Sequence, residues 1–208
     1  MDFIKLFLAR RLAAFFAASA LPIMAVASSG PSGVGNFEKV DDHVYRGAQP
    51  TEMGFQNLAK LGIQTVVDLQ EGGARSLAEE KIVEAAGMRY LSVPMKGLEA
   101  PSNESVAKVL AVLEDAVTGP VFVHCHRGAD RTGGVIACYR IEHDHWKNDR
   151  ALAEAKSMGM SWFEKAIQHY VETYRPKPIN PGAPAALDAI ASATSTATPT
   201  AAGSQAIR

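Results

Sequence analysis

The stretch Val121-Phe-Val-His-Cys-His-Arg-Gly-Ala-Asp-Arg-Thr-Gly-Gly134 constrains this 208-residue chain more than any other. It reads as an apolar strand over Val121–Val123, a tight loop, and a helix starting near Arg131. Five residues lie between Cys125 and Arg131. In so short a loop, successive backbone N–H groups turn inward and form an anion-binding nest, reinforced by the partial positive charge of the following helix N-terminus. Helix N-termini and cationic neighbours favour the thiolate form of a cysteine placed there. The guanidinium of Arg131 offers a planar fork matched to two oxygens of a phosphate. Gly128 lets the loop turn without a Cβ penalty. Gly133 and Gly134 are poor helix formers, which points to close backbone packing at that helix start. A nucleophilic thiolate beside a phosphate nest implies attack on phosphorus and a phosphocysteine intermediate.

The run His124-Cys125-x5-Arg131-Thr132 resembles the signature of cysteine-dependent protein tyrosine and dual-specificity phosphatases. The resemblance implies Cys125 as nucleophile and Arg131 as phosphate clamp. His124 would orient the loop, and the Thr132 hydroxyl would stabilise the departing thiolate. His126, Arg127, Gly128 and Ala129 would complete the phosphate-binding loop. Rhodanese-type sulfur transferases also use a loop cysteine, but their loop differs in length and lacks the Arg-Thr ending. The bland alternative is a buried cysteine ending a core strand. The agreement of motif, preceding strand and following helix argues against it.

The body alternates strands with helices. His43–Arg46 reads as a short strand, followed by a turn over Gly47–Pro50. Thr51 caps a helix running to Leu61. Ile63–Leu69 is a buried strand, Ser76–Ala86 a helix with Leu77, Ile82 and Val83 among its apolar residues, and Met88–Val93 a strand. Pro94–Pro101 is a loop. Ser102 begins an amphipathic helix to Val117, with Val106, Val109, Leu110, Leu113 and Val117 on one stripe. After the cysteine loop come a helix to about Trp146, one over Arg150–Met158, and one over Ser161–Tyr174 opened by a Ser161/Glu164 capping box. Phe163, Ile167, Tyr170, Val171 and Tyr174 form its core stripe. The expected fold is α/β, a single domain with a central, mostly parallel sheet flanked by helices. The cysteine loop follows the C-terminal end of its strand, where open α/β sheets bind ligands. Val44-Tyr-Arg-Gly-Ala-Gln-Pro50 and Ile63–Leu69 also resemble the opening of compact atypical phosphatases of bacteria, fungi and plants, so the resemblance spans residues 37–175.

The ends differ in character. Lys5, Arg10 and Arg11 precede the apolar run Leu12–Val26, and Ala25-Val-Ala27 offers a small-x-small cleavage site. This is the pattern of a secretory signal peptide over residues 1–27, and it predicts an exported, periplasmic or secreted bacterial protein with no stable membrane insertion after cleavage. The alternative is an uncleaved N-terminal anchor, and the apolar run, shorter than the ~20 residues of a membrane span, favours cleavage. Residues 28–36 read as a flexible lead-in. Residues 176–208, rich in Pro, Ala, Ser and Thr, read as a disordered tail. Cys125 and Cys138 are the only cysteines. Cys138 lies seven residues past Arg131, about 10 Å up the helix at ~1.5 Å per residue, beyond the ~7 Å between Cα atoms that a disulfide bridges. No disulfide is expected.

The leaving oxygen needs a proton. Many dual-specificity phosphatases place an Asp about three residues after the proline of the loop that precedes the catalytic unit. Here that position, counted from Pro94, is Gly97, and the nearest carboxylate is Glu99. Asp130 is the other candidate acid. The Gly-x-Asp-Arg-Thr ending resembles that of myotubularin-type lipid phosphatases and some bacterial secreted phosphatases, in which a loop Asp is implicated in acid catalysis. Asp130 is therefore the favoured acid and Glu99 the second. The net charge of −1 gives no basic stripe for nucleic acid. No metal-ligand spacing occurs, and the mechanism needs no cofactor. The function expected is phosphomonoester hydrolysis on phosphorylated protein, with an inositol phosphate or phosphoinositide as the alternative small phosphoester. A catalytically silent phosphate-binding module is the competing class, and the retained nucleophile argues against it.

Overall fold

The structure is a computed structural model that describes residues 30–176. The expected signal peptide and nearly all of the expected tail lie outside those residues. Five strands form one mixed, mostly parallel sheet: β1 (Glu38–Lys39), β2 (Val44–Ala48), β3 (Thr65–Asp68), β4 (Arg89–Ser92) and β5 (Val121–Cys125). The strand order is β1-β2-β5-β3-β4. Only β1 runs antiparallel to its neighbour. Six helices flank the sheet: α1 (Glu52–Leu61), α2 (Ala74–Ala85), α3 (Asn103–Glu114), α4 (Asp130–Glu142), α5 (Asn148–Ser157) and α6 (Lys165–Thr173).

The pleat of β5 sorts its residues onto opposite faces. Val121, Val123 and Cys125 join the apolar layer beneath α3 and α4. Phe122 points the other way, among Phe55 and Leu58 of α1 and Val83 of α2. His124 shares that face, stacked on Phe122 and edge-on to Phe55. Helix α4 lies between the sheet and the α5–α6 pair, so nearly all of its surface is buried. A Cβ on Gly134 would meet Ile167 Cγ2 of α6 at 2.7 Å, which is the close backbone packing expected there.

Several expectations need correction. β2 runs on through Gly47 and Ala48, because these residues pair with His124 and Cys125 instead of turning. Leu77 and Val117 are exposed, while Ser76 and Glu79 take the inward face of α2 beside Val83. α3 ends at Glu114, and a 3₁₀ turn over Ala116–Thr118 follows. α4 ends four residues before Trp146. The capping box does not form: Glu164 directly precedes α6 with no side-chain cap, and the Ser161 N–H donates elsewhere. Phe163 is consequently exposed. Residues 33–36 of the expected flexible lead-in are pinned to the body. Gly33 O accepts from Thr51 N at 2.9 Å, and Gly35 O from Ala48 N at 2.7 Å.

Candidate active site

The parallel strands end together at one edge, and the loop from Cys125 to Arg131 lies there between β5 and α4. Its carbonyls are held from outside. His124 O accepts from Leu69 N at 2.9 Å and His126 O from Gln49 N at 3.1 Å. Asn36 Nδ2 donates to the carbonyls of Arg127 (3.3 Å), Gly128 (3.1 Å) and Met158 (3.0 Å). Arg46 Nη2 donates to Gly128 O at 2.7 Å. With the carbonyls bound outward, the N–H groups of residues 126–129 donate to no protein acceptor among the described residues. Successive free N–H groups at a helix start make the nest expected from sequence. Gly128 carries φ of +66°, and a Cβ there would lie 2.3 Å from the Gly47 carbonyl carbon and oxygen.

The structure gathers the sequence-selected residues around this loop. Cys125 and Thr132 are buried, and the Thr132 hydroxyl has no partner among the described residues. Arg131 reaches from the start of α4 to Met95 O, Nη1 to oxygen 3.3 Å. His126 and Arg127 face outward. Arg127 Nη2 donates to Gly159 O at 2.9 Å and lies 3.7 Å from Asp130 Oδ2. Asp130 Oδ1 accepts from Ser161 N at 2.8 Å, so this carboxylate ties the cysteine loop to the α5–α6 turn. Glu99 is exposed over 63% of its side chain and meets only Lys96, at 3.5 Å.

Three features were not foreseen. Arg46 is fully buried beneath the loop, and burial pulls its guanidinium below the ordinary arginine range, with the Glu38 and Glu154 carboxylates opposing. Glu164 is buried near the loop with Oε2 unpartnered. Burial, and secondly the charge of Asp130, push its carboxyl above the usual range, against Leu98 N–H, Arg131 and Arg127. The third feature is a cluster behind His124, whose Nε2 lies 2.8 Å from Glu79 Oε1 and whose Nδ1 lies 4.0 Å from Asp68 Oδ1. The ligating atoms of Asp68, Glu79 and His124 fall within 4.8 Å of one another, a spacing suited to a metal. Arg75, however, donates to Asp68 Oδ2 at 2.6 Å and to Glu79 Oε2 at 2.8 Å, so the cation set on these carboxylates is a guanidinium. The only sequence sign of this cluster was polar Ser76 and Glu79 in register with Val83 on a half-buried helix.

A thiol at the end of a central parallel strand, a loop of N–H groups without acceptors among the described residues and an arginine opening the next helix define a cysteine-dependent phosphatase. The chain matches, over residues 21–172, the family described as "DSP-PTPase phosphatase fused to NAD+ Kinase". It belongs to that family of dual-specificity-type phosphatases. Inositol diphosphatase DSP3 of Arabidopsis thaliana is 27% identical over 146 residues, covering 67% of this chain and 70% of the relative. Dual specificity protein phosphatase TpbA of Pseudomonas aeruginosa is 31% identical over 125 residues, covering 60% of this chain and 55% of the relative. The TpbA crystal structure superposes with a TM-score of 0.57 at 27% identity, covering 70% of this chain and 92% of that one. The catalytic core of SIW14 from S. cerevisiae, 24% identical with a TM-score of 0.58, shares the fold over 67% of this chain and 85% of its own. Among the described residues no helix is long and apolar enough to cross a membrane.

Proposed function

We propose that this phosphatase hydrolyses phosphomonoesters on protein through Cys125. The loop N–H groups and Arg131 hold the dianionic phosphate. The Cys125 thiolate attacks phosphorus in line, forming the S–P bond as the P–O bond to the leaving group breaks. Asp130 gives its proton to the departing oxygen. Water then attacks the phosphocysteine and returns a proton to Asp130. The S–P bond breaks, phosphate leaves, and the Thr132 hydroxyl donates to the regenerated thiolate. The observation that carries this reading is the loop itself: the carbonyls of His126, Arg127 and Gly128 are bonded from outside, and the N–H groups of residues 126–129 donate to no acceptor among the described residues. The chain is further proposed to act after export, from the signal-peptide pattern of residues 1–27.

A protein substrate is favoured by the rim. Ser161 is bonded to Asp130, and the next two residues, Trp162 and Phe163, form an edge-to-face pair with Trp162 78% exposed. An exposed aromatic pair beside the phosphate loop suits the ring of a phosphotyrosine. The second reading, an inositol phosphate, draws on the Arabidopsis relative and on exposed His126 and Arg127. The test is phosphate release by the reduced protein from phosphotyrosine, phosphothreonine and inositol phosphate substrates, with Cys125→Ser alongside. Turnover lost in the variant, and highest on phosphotyrosine, is expected. Turnover confined to inositol phosphates would move the assignment to the second reading, and none on any substrate would reject catalysis.

A further inference from the structure

His124 and Cys125 are neighbours in sequence but point to opposite faces of the sheet. The buried His124 ring lies among Phe122, Phe55 of α1, Asp68 of β3 and Glu79 of α2. Phe122 stacks on one of its faces at 5.7 Å between centroids, and Phe55 approaches edge-on at 6.3 Å. Neither packing contact sets the rotation of the ring within its plane. The nearest polar atom to the ring is Glu79 Oε1, 2.8 Å from Nε2, a close charge contact and not an aligned hydrogen bond.

Glu79 is itself held firmly. Its side chain is 4% exposed. Its second oxygen accepts from Arg75 Nη1 at 2.8 Å and from Gln49 Nε2 at 2.6 Å. Arg75 is fixed by Asp68, which also accepts from Tyr90 Oη at 2.9 Å and from Gln70 N at 2.9 Å. The polar network therefore runs from β3, β4 and α2 to a single imidazole, and that imidazole belongs to the residue whose backbone carries the nucleophile. The 2.8 Å approach lies off the direction of the ring N–H, and both ring nitrogens and Glu79 Oε1 lack a well-directed partner. A buried polar group without an aligned partner calls for a reason beyond packing.

We infer that Glu79 is a positioning residue for the phosphate loop, acting through His124. Its carboxylate fixes the imidazole, the imidazole fixes the backbone at the end of β5, and this aims the Cys125 side chain into the nest. The inference rests on the role proposed for Cys125. Outer partners of metal-ligating histidines carry ~10- to 100-fold of function without touching substrate, and the same order is expected for the partner of His124.

The experiment compares wild type, Glu79→Gln, His124→Asn and the double variant, reading kcat and KM on one phosphoester substrate. A second readout, the rate of Cys125 alkylation by iodoacetamide in folded protein, needs no substrate. Glu79→Gln should lower kcat ~10- to 100-fold with KM little changed, and slow alkylation. Adding it to His124→Asn should produce no further loss, because the two act as one unit. If Glu79→Gln does not fold, Glu79→Asp keeps the charge but withdraws the carboxylate by one methylene, and the same pattern is expected. Unchanged kcat and alkylation, or losses that multiply in full with those of His124→Asn, would overturn the inference. Absence of turnover in wild type with alkylation still slowed by Glu79→Gln would reject the catalytic reading and leave the positioning role standing.

Discussion

Arg46 Nη2 donates to Gly128 O at 2.7 Å from a guanidinium that has no contact with solvent. A strand two positions away in the sheet order from β3 thus grips the turn of the phosphate loop from below, and Arg46 Nε and Nη1 find no hydrogen-bond partner. A buried guanidinium with Nε and Nη1 unbonded among the described residues is costly to desolvate.

Replacing Arg46 with Met leaves the buried Gly128 carbonyl short of its strongest donor and removes a cation from beneath the anion nest. Losing one partner of a buried, charge-assisted hydrogen bond costs about 3 kcal/mol. The relief of a desolvated charge offsets part of that loss, so stability should fall by less, while phosphate or vanadate affinity should fall more than tenfold, roughly the 1.4 kcal/mol equivalent. Urea denaturation with and without vanadate measures both. Unchanged vanadate affinity would show that Arg46 supports the fold alone.

Asp130 carries two tasks that one substitution separates. Asp130→Asn keeps an oxygen to accept from Ser161 N but has no proton to give. If Asp130 is the acid, turnover of a substrate with a poor leaving group should fall by ~10²- to 10⁴-fold, and far less with an aryl phosphate of low leaving-group pKa. Glu99→Ala should leave the rate nearly unchanged, because that side chain is solvated and meets only exposed Lys96 among the described residues. Near-wild-type activity in Asp130→Asn would leave the carboxylate as a tether between loop and α5–α6 turn.

The two thiols differ in setting although both are free and buried. Cys138 packs within α4 against the sheet, and burial, with a lesser push from Glu142, raises its pKa well above the ordinary thiol range. Iodoacetate attacks thiolates, so a single equivalent should be incorporated, at Cys125, and phosphate should protect it. Mass mapping decides. Labelling of Cys138 in folded protein would contradict this placement.

The sheet and the cysteine loop were legible because their signals are local. The apolar strand, the fixed spacing from Cys125 to Arg131 and the Thr51 and Ser102 caps each lie within a few residues. What escaped depends on pairs far apart in the chain. Arg46 and Gly128 are 82 residues apart, and Asn36 and Gly128 are 92. Glu79 escaped because the helix was read from its apolar residues Leu77, Ile82 and Val83 alone, and of these Leu77 is exposed. On α2 the inward face is partly polar, because it serves His124 and Asp68 as well as the apolar core. The Ser161/Glu164 pattern misled for a related reason: a tertiary acceptor, Asp130, holds the Ser161 N–H in place of the local cap.

Glu164 gives a prediction whose sign follows from its surroundings. Burial and Asp130 raise its carboxyl pKa, so the folded state prefers the protonated form. A group of this kind contributes stability below its unfolded pKa, near 4.3, and loses that contribution as pH rises through the folded value. Glu164→Gln mimics the protonated side chain at every pH. The variant should therefore be more stable than wild type at about pH 8, and the gap should narrow as pH falls towards roughly 4.3, where wild type is protonated as well. Urea midpoints across this range provide the measurement. A gap that is absent at high pH, or widens on acidification, would mean that the Arg131 and Arg127 charges outweigh burial and hold Glu164 ionised beside the loop.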